Sequence, residues 1–360
     1  MNGPIILSQL RERLADILLG YREPMAAPMA ISPWLAMSLL QKSIRRADAE
    51  FSQRAAASLL TVAPDKLWRR VGAAAFEEIG IADLSVVSLV TAALAGKRFR
   101  STVGGDWKVA SFVIDLMVRS KKCRAADDLL LVADHHPTFQ RARRALAEKS
   151  TADLVRISVG EADLPVRAIA AWYAVGVRAR QSVNLSIRRG EPAALFDALC
   201  EAGLPHTVCE VAREGFRKIS EPLCPFVAML SAIMPSKPFE LTNDEFLPET
   251  LVNGVPSWAY DMYVREGRAA LNAFILGNSQ AAEWVRRNIP SSQRVNFLGA
   301  VVFRVEGGQI RNRVAWQEGL SLRKAVDMEC HGKNCVDGSH ILDLVRKDIS
   351  ALNVERANVG

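Results

Sequence analysis

The chain has 360 residues, is 49% hydrophobic and 7% aromatic, and carries 46 Lys and Arg against 39 Asp and Glu, a formal net charge of +7. This hydrophobic content excludes a wholly disordered chain, and the length allows two or three domains. Abundant alanine and leucine with few aromatic residues favour helices, so we expect a mainly α protein. No uncharged apolar run of about 18 residues is present, so neither a membrane-spanning helix nor a membrane partner is expected. Six cysteines without regular spacing are typical of a reducing compartment, which predicts a cytoplasmic protein.

The charge excess is confined to the first part of the chain. Residues 1–160 hold 23 Lys and Arg and 16 Asp and Glu, whereas residues 161–360 hold 23 of each. A basic half beside a neutral half is typical of a protein whose basic half binds a polyanion. Soluble proteins of this size also carry such a charge without a polyanion partner, and the composition does not choose between the two.

Amphipathic helices are predicted from the N-terminus onward. Apolar residues recur at helical spacing over 5–21, and a third helix is expected over 49–62. Between them, Ser32 and Pro33 suit the N-cap and the first position of a second helix.

The next helix, over 64–83, has both of its ends marked. Pro64 suits a first helical position, Gly80 suits a left-handed helix end, and Asp83 can cap the helix that follows. Apolar residues recur every four positions and predict a buried stripe of Leu67, Val71, Ala75 and Ile79. The charged residues off this stripe are expected on a solvated face; they are Arg69, Arg70, Glu77 and Glu78.

The amino-acid sequence of this helix resembles the C-terminal helical region of the replication-associated recombination protein A family of AAA+ ATPases. There an Arg-Arg pair precedes a small-residue helix, an acidic pair, Ile-Gly and Ala-Asp. The matching residues here are Arg69, Arg70, Glu77, Glu78, Ile79, Gly80, Ala82 and Asp83, and upstream Leu40, Lys42, Ser43 and Arg45 match the family's L-x-K-S-x-R helix. The resemblance covers about 31–95 and extends weakly to 135, with Glu78 where the family usually has Asp and Lys66 where an aromatic is common.

The resemblance implies a helical module like the collar of clamp loaders, which holds subunits together. It implies a homo-oligomer, a setting in DNA replication, repair or recombination, and a separately encoded AAA+ ATPase as a possible partner. The family's ATPase motif is missing here. The pair Gly96 and Lys97 has Thr91 at the first glycine position of a phosphate-binding loop and Arg98 at its hydroxyl position, and a second Gly-Lys pair fails in the same way at Asp327. We therefore expect neither ATP binding nor ATP hydrolysis.

The segment 97–124 is the best candidate for contact with DNA. It carries eight basic residues against two acidic ones, with Phe99 and Trp107 among them. Such a mixture suits phosphate contacts with stacking on aromatic rings. The alternative is a basic loop surface held by two buried aromatic anchors. The predicted DNA-binding residues are Lys97, Arg98, Arg100, Lys108, Arg119, Lys121, Lys122 and Arg124.

The remaining chain is predicted to be helical except in two places. Helices are expected over 84–95, 107–119, 122–134, 138–148, 150–159, 163–183, 191–203, 205–218, 220–235, 258–276, 278–288 and 339–352. A glycine-rich loop is expected over 96–106 and an irregular linker over 236–257, which contains four prolines. Alternating residues on either side of Gly307 and Gly308 predict a β-hairpin within 298–316.

Cysteines and histidines supply only weak candidates for chemistry. Cys330, Cys335 and His340, with His331 between them, have a spacing compatible with one zinc loop, but two close ligand pairs, as in strong zinc motifs, are absent, and the alternative is a polar turn with reduced cysteines. No other cofactor is implied. Cys209 and His206 are close in sequence on one predicted helix, where their spacing indicates local packing.

The sequence thus predicts a mainly α protein with a basic collar-like region at 1–160, a helical continuation at 161–235, the linker at 236–257 and a small α+β part at 258–360. Its predicted function is that of a non-catalytic, oligomeric, DNA-associated protein. A helical scaffold that binds only protein is one alternative. An enzyme of unknown class, whose site is built from residues distant in sequence, is the other.

Overall fold

The computed structural model describes residues 3–178, 182–235, 239–327 and 338–359. Within these ranges the protein is mainly helical, as the composition predicts, and carries two small antiparallel sheets. The first ten helices are α1 (Gly3–Gly20), α2 (Pro33–Arg46), α3 (Ala49–Val62), α4 (Pro64–Ala74), α5 (Leu84–Ala93), α6 (Lys97–Thr102), α7 (Asp106–Arg119), α8 (Ala125–His135), α9 (Gln140–Ala147) and α10 (Thr151–Val159). The next ten are α11 (Leu164–Val175), α12 (Pro192–Glu201), α13 (His206–Ile219), α14 (Leu223–Ser231), α15 (Arg265–Leu276), α16 (Gln280–Asn288), α17 (Arg294–Val302), α18 (Gln317–Ala325), α19 (Gly338–Lys347) and α20 (Ile349–Val359).

The chain divides into two compact units, each assembled from three separate segments. Unit 1 comprises 1–24, 68–242 and 312–330, and unit 2 comprises 25–67, 243–311 and 331–360. The division of the chain into four consecutive parts stays a prediction.

The core of unit 1 is built from the apolar faces of its helices. Leu14 of α1, Val113 of α7, Leu129 of α8, Trp172 of α11 and Phe226 of α14 are all buried. Helix α11 is buried along most of its length, as expected for a helix that is apolar nearly all round. It ends at Gly176 rather than near 183, because Gly176 takes a left-handed conformation with φ of 67°.

The predicted caps and the predicted buried stripe are confirmed. The Ser32 hydroxyl accepts from the Leu35 N–H at 3.2 Å, and the Asp83 carboxylate accepts from the Val86 N–H at 3.1 Å. All four residues of the stripe in the 64–83 region have no solvent exposure; they are Leu67, Val71, Ala75 and Ile79.

The end of this helical region is less regular than the single α-helix that the sequence predicts. Helix α4 stops at Ala74 and is followed by a π-helical turn over Ala75–Ile79 and a 3-10 turn over Gly80–Ala82. Gly80 has a positive φ of 50°, but its ψ of −132° lies outside the left-handed helical conformation that the sequence predicts. A Cβ at this position would lie 2.7 Å from the Cys123 carbonyl oxygen. Glycine is therefore required both by the backbone angle and by the close approach of the neighbouring chain.

The strands are β1 (Glu240–Thr242), β2 (Leu251–Val252), β3 (Val255–Pro256) and β4 (Arg313–Ala315). In unit 1, β1 pairs antiparallel with β4, with Leu241 opposite Val314. In unit 2, β2 and β3 form a hairpin, whose turn residues Asn253 and Gly254 have φ of 52° and 77°. Two successive positive φ angles suit the Asn-Gly pair. The predicted linker is therefore only partly irregular within the described residues.

The predicted hairpin around Gly307 and Gly308 is wrong. Helix α17 runs to Val302 and continues as a π-helical turn over Phe303–Gly307, and β4 pairs with the distant β1. Leu298, Val302 and Val305 are buried at helical spacing, so the helical period outweighs the short alternation that favoured strands. The predicted loop over 96–106 is also wrong in part, since it contains the short helix α6.

The core of unit 2 lies among α15, α16, α17, α19 and α20. Leu271, Phe274, Val285, Leu298 and Val345 belong to one buried apolar cluster there. No helix in the described ranges is long and apolar enough to cross a membrane.

Candidate nucleic-acid interface

The eight predicted DNA-binding residues separate into a buried and an accessible group. Arg100, Lys122 and Arg124 are buried in unit 1. Lys97, Arg98, Arg119 and Lys121 are exposed, and Lys108 is half-buried. The prediction of a surface role is therefore wrong for the three buried cations, because a buried cation cannot reach a phosphate.

Arg100 is held inside unit 1 by an aromatic ring and a carboxylate. Its guanidinium carbon lies 3.9 Å from the centroid of the Trp68 ring, and its Nε donates to Asp106 Oδ1 at 2.5 Å. A third contact runs from its Nη1 to the Ala93 carbonyl oxygen at 3.4 Å. These contacts connect α6 to α4, α5 and α7, so Arg100 stabilises the fold of this region.

Lys122 is directed inward by its backbone pairing. Its N–H donates to the Asn312 carbonyl at 2.9 Å and its carbonyl accepts from Val314 at 2.9 Å, which places it beside β4. The side-chain ammonium donates to the carbonyls of Val118 and Ser120 at 2.9 and 2.5 Å. Burial lowers the pKa of Lys122 to about 8, against a smaller opposing effect of the Glu78 charge.

Arg124 is the centre of a buried ionic cluster. It donates to Glu77 at 2.8 Å and to Glu78 at 2.6 Å, and it also pairs with Asp127 at the start of α8. Glu78 has no solvent exposure, so the expected solvated position is wrong for this residue. Burial by itself would lower the pKa of Arg124, but the carboxylates of Asp127, Glu78 and Glu77 raise it well above its ordinary value. The arginine is therefore charged throughout the usual pH range.

The accessible cations of this segment are not balanced by its acids. Asp106 is engaged by the buried Arg100, and Asp115 lies 3.0 Å from Arg119 on the same helix. Within the described ranges, the four remaining accessible cations form no ion pair with a carboxylate; they are Lys97, Arg98, Lys108 and Lys121. The outward charge of 97–121 is therefore positive.

The two aromatic residues of the segment are half-buried. Trp107 Nε1 donates to the Pro24 carbonyl oxygen at 3.1 Å, which fixes the indole edge within unit 1. Phe99 lies on α6 and is also only half-buried. Trp107 is thus held in place by a hydrogen bond, although neither ring is buried as the alternative interpretation expects.

The residues behind the family resemblance lie in two places. In unit 2, Lys42, Ser43 and Arg45 on α2 are buried, and the Ser43 hydroxyl donates to the Leu39 carbonyl at 2.7 Å. In unit 1, Arg69 is exposed, and Arg70 and Glu77 are half-buried. Three more residues lie in the turn before α5; they are Glu78, Gly80 and Asp83. Most of these residues contribute to the fold and not to an accessible surface.

The arginines at the end of α2 are enclosed by aromatic rings and carbonyls that the sequence did not predict. Arg45 Nη1 donates to the Gly307 carbonyl at 2.5 Å. The Arg46 guanidinium lies 4.6 Å from the Phe246 ring centroid and 4.9 Å from that of Trp258. Burial lowers the pKa of Arg46 to about 10. The two rings follow α2 by some 200 residues, so no local sequence pattern reveals the contact.

In the described part of unit 2, Ser38 and Lys42 of α2 bring a hydroxyl and an amine together, the groups that a serine nucleophile and a lysine base require. Lys42 Nζ donates to Ser38 Oγ at 2.5 Å and pairs with Asp261 Oδ2 at 2.5 Å. Ser38 donates its own proton to the Ala259 carbonyl at 2.7 Å. Because Lys42 donates to Ser38 and Ser38 donates its own proton to a backbone carbonyl, Lys42 does not accept the Ser38 proton, and this arrangement is structural.

The zinc prediction lies mostly outside the described residues. Cys330, His331 and Cys335 are not described, whereas His340 is an exposed residue of α19. In the part of the chain that the structure describes, no group of three or more His, Cys, Asp and Glu residues could hold a metal ion.

Comparison with known proteins does not place the chain in a family. No family model, no curated protein and no solved structure matches it. The resemblance to the AAA+ family therefore remains a prediction from the residues.

Proposed function

We propose that the protein binds the phosphate backbone of DNA through Lys97, Arg98, Lys108 and Lys121, without base-specific contacts. The observation that supports this proposal is the charge balance of the segment. Its two acids are each engaged by an arginine, while these four cations reach solvent without a carboxylate partner in the described ranges. Exposed cations of this kind bind phosphates by displacing condensed counterions.

In this proposal the protein is a non-catalytic, self-associating accessory factor in replication, repair or recombination. Self-association is supported by Trp34 of α2, whose side chain is 58% exposed although it is a large apolar residue. Large exposed apolar residues are frequent where copies of a chain meet. A separate AAA+ ATPase is proposed as a partner on the resemblance alone.

Binding of the full chain to a fluorescent duplex and to a single strand tests the function directly. We expect binding at low salt that weakens as a straight line in a plot of log affinity against log salt, with a slope of about −0.7 to −0.9 per phosphate contact. Binding that does not respond to salt, or no binding at low salt, would overturn the proposal and favour a scaffold that contacts only proteins. Light scattering on the same samples tests self-association, and a monomer at all accessible concentrations would exclude it.

A further inference from the structure

The hairpin of α12 and α13 in unit 1 brings two cysteines and a histidine together. Cys200 lies in the last turn of α12, His206 begins α13, and Cys209 follows one turn later. Cys200 Sγ lies 3.1 Å from His206 Nδ1. The Cys209 thiol is near enough to Cys200 for the Cys200 side chain to raise its pKa, although burial raises it more. Cys200 therefore contacts a base and has a second thiol close by on the facing helix.

The two cysteines differ in their access to solvent. Cys200 is half-buried and lines an open cleft of about 680 Å³, together with His206. Cys209 is completely buried. A small solute in the cleft can therefore reach Cys200, whereas Cys209 has no exposed surface.

The charged residues around the cleft are largely paired with one another. Arg213 on α13 donates to Asp197 of α12 at 2.5 Å and lies 3.4 Å from Glu210. Glu201 and Arg217 also line the cleft. The charge nearest Cys200 is thus mixed, and the 3.1 Å contact makes His206 the group best placed to take up a thiol proton.

We propose that Cys200 and Cys209 form a redox-sensitive pair, in which a peroxide oxidises Cys200, Cys209 closes a disulfide, and His206 serves as the base. This role is independent of DNA binding. Burial raises the pKa of Cys209 to about 12, so this residue remains a thiol at neutral pH and is not the first site of attack.

The chemistry balances with hydrogen peroxide as the oxidant. Cys200 transfers its proton to His206, and the thiolate attacks one peroxide oxygen, which breaks the O–O bond and leaves Cys200 as a sulfenic acid. The released hydroxide takes up the His206 proton and leaves as water. The Cys209 sulfur then attacks the sulfenic sulfur, the S–O bond breaks, and the hydroxyl leaves as a second water with the Cys209 proton. Two thiols are oxidised by two electrons, and one peroxide is reduced.

Among the described cysteines, we expect peroxide to oxidise Cys200 before Cys123 and Cys224. Cys123 and Cys224 are buried, and burial raises the pKa of both thiols, that of Cys123 to about 11. A buried thiol without an accessible partner reacts slowly with peroxide. Cys200 is the described cysteine that combines partial exposure with a histidine contact.

Peptide mapping of the full chain tests the proposal. Trypsin cleaves after Arg189 and after Arg213, so both cysteines lie on peptide 190–213. A second cleavage, after Glu201, separates the two cysteines. After peroxide treatment of the native protein, followed by unfolding and alkylation, we expect this peptide to be unalkylated and lighter than the reduced form by two hydrogen atoms. After cleavage at Glu201 its two halves should remain joined until a reductant is added.

Three outcomes with the unmodified chain would overturn the proposal. These are an oxidised Cys200 with Cys209 still open to alkylation after unfolding, a disulfide to a different cysteine, and no reaction at either residue under conditions that oxidise free cysteine. Because the unmodified chain is measured, failure of a variant to fold does not affect the result.

The role of His206 is tested by His206→Gln, followed through the rate of peroxide consumption at Cys200. An ordinary thiol is only a few per cent ionised at neutral pH, so we expect about tenfold slower reaction in the variant, with a smaller difference as the pH is raised. His340→Gln, in an exposed position of unit 2, is the matched control and should react at the parent rate. Equal rates for His206→Gln and the parent would remove His206 from the proposal.

Discussion

The guanidinium of Arg124 donates a hydrogen bond of 2.6 Å to the carboxylate of Glu78, a side chain with no solvent exposure. The same arginine holds Glu77 and Asp127. It therefore joins the π-helical turn that follows α4 to the start of α8, and a residue expected on the surface proves to be an internal counter-charge.

Replacement of Arg124 by Met should destabilise the protein strongly. Removing one partner of a buried ion pair typically costs about 3–5 kcal/mol, and Arg124 pairs with three carboxylates. Urea unfolding followed by circular dichroism measures the change in the free energy of unfolding. Arg119→Met is the matched control, because that arginine is 77% exposed and its pair with Asp115 should be worth no more than about 1 kcal/mol. Similar losses in the two variants would contradict the assignment of Arg124.

Lys122 should make stability rise with pH above about 8. Burial lowers its pKa to about 8 from an ordinary value of 10.5. Between these two values the unfolded chain binds more protons than the folded one, so the free energy of unfolding increases with pH, by on the order of 3 kcal/mol in total. Below pH 8 both states hold the proton, and this contribution no longer changes.

The comparison of Lys122→Met with Lys121→Met isolates this effect, since the two lysines are neighbours and only Lys121 is exposed. Other groups titrate in the same range, so the relevant quantity is the difference between each variant and the parent across the pH series. Lys122→Met should lose the rise and Lys121→Met should keep it. A parallel pH dependence in all three proteins would show that Lys122 is not desolvated.

For the buried pair of Lys42 and Asp261 in unit 2, replacing one residue should destabilise the protein more than replacing both. Asp261→Asn keeps an oxygen that can accept from the Tyr263 N–H but removes the negative charge that lies 2.5 Å from the buried Lys42 ammonium. We expect a loss of about 3–5 kcal/mol in the free energy of unfolding. The double change Lys42→Met with Asp261→Asn removes both charges and should recover much of this loss. If the loss in the free energy of unfolding of the double variant equals the sum of the losses of Lys42→Met and Asp261→Asn, the two residues do not interact.

The proposed DNA contacts predict a change in salt dependence. Lys97→Ala, Arg98→Ala and Lys121→Ala together should weaken DNA binding and reduce the slope of log affinity against log salt by about two to three units. The three side chains are exposed, so circular dichroism and the free energy of unfolding should stay close to those of the parent. The matched control replaces Arg141, Arg144 and Arg156, which are exposed cations elsewhere in unit 1. A folded triple variant with the parent's affinity and slope would remove the site assignment.

Local signals in the sequence were sufficient for most helices and their starting points. Ser32 and Asp83 cap helices because a short side-chain oxygen can reach the first N–H groups of the helix, a contact made within a few residues. The four-residue spacing of Leu67, Val71, Ala75 and Ile79 likewise specified a buried stripe. The Asn253 and Gly254 hairpin carried an equally local signal, which the proline content of its surroundings obscured.

Only the tertiary structure decided which charged residues are inside. The sequence presents Arg119 and Arg124 as equivalent members of one basic segment, yet the first is exposed and the second is buried among three carboxylates. Lys122 likewise turns inward because its backbone pairs with a strand almost 200 residues away. The sequence by itself determined the helical class, the helix caps and the net charge, because these depend on neighbouring residues or on composition. The pairing of β1 with β4, the burial of the cations and the contact of Cys200 with His206 depend on how the elements pack, and packing is set by contacts that no local pattern contains.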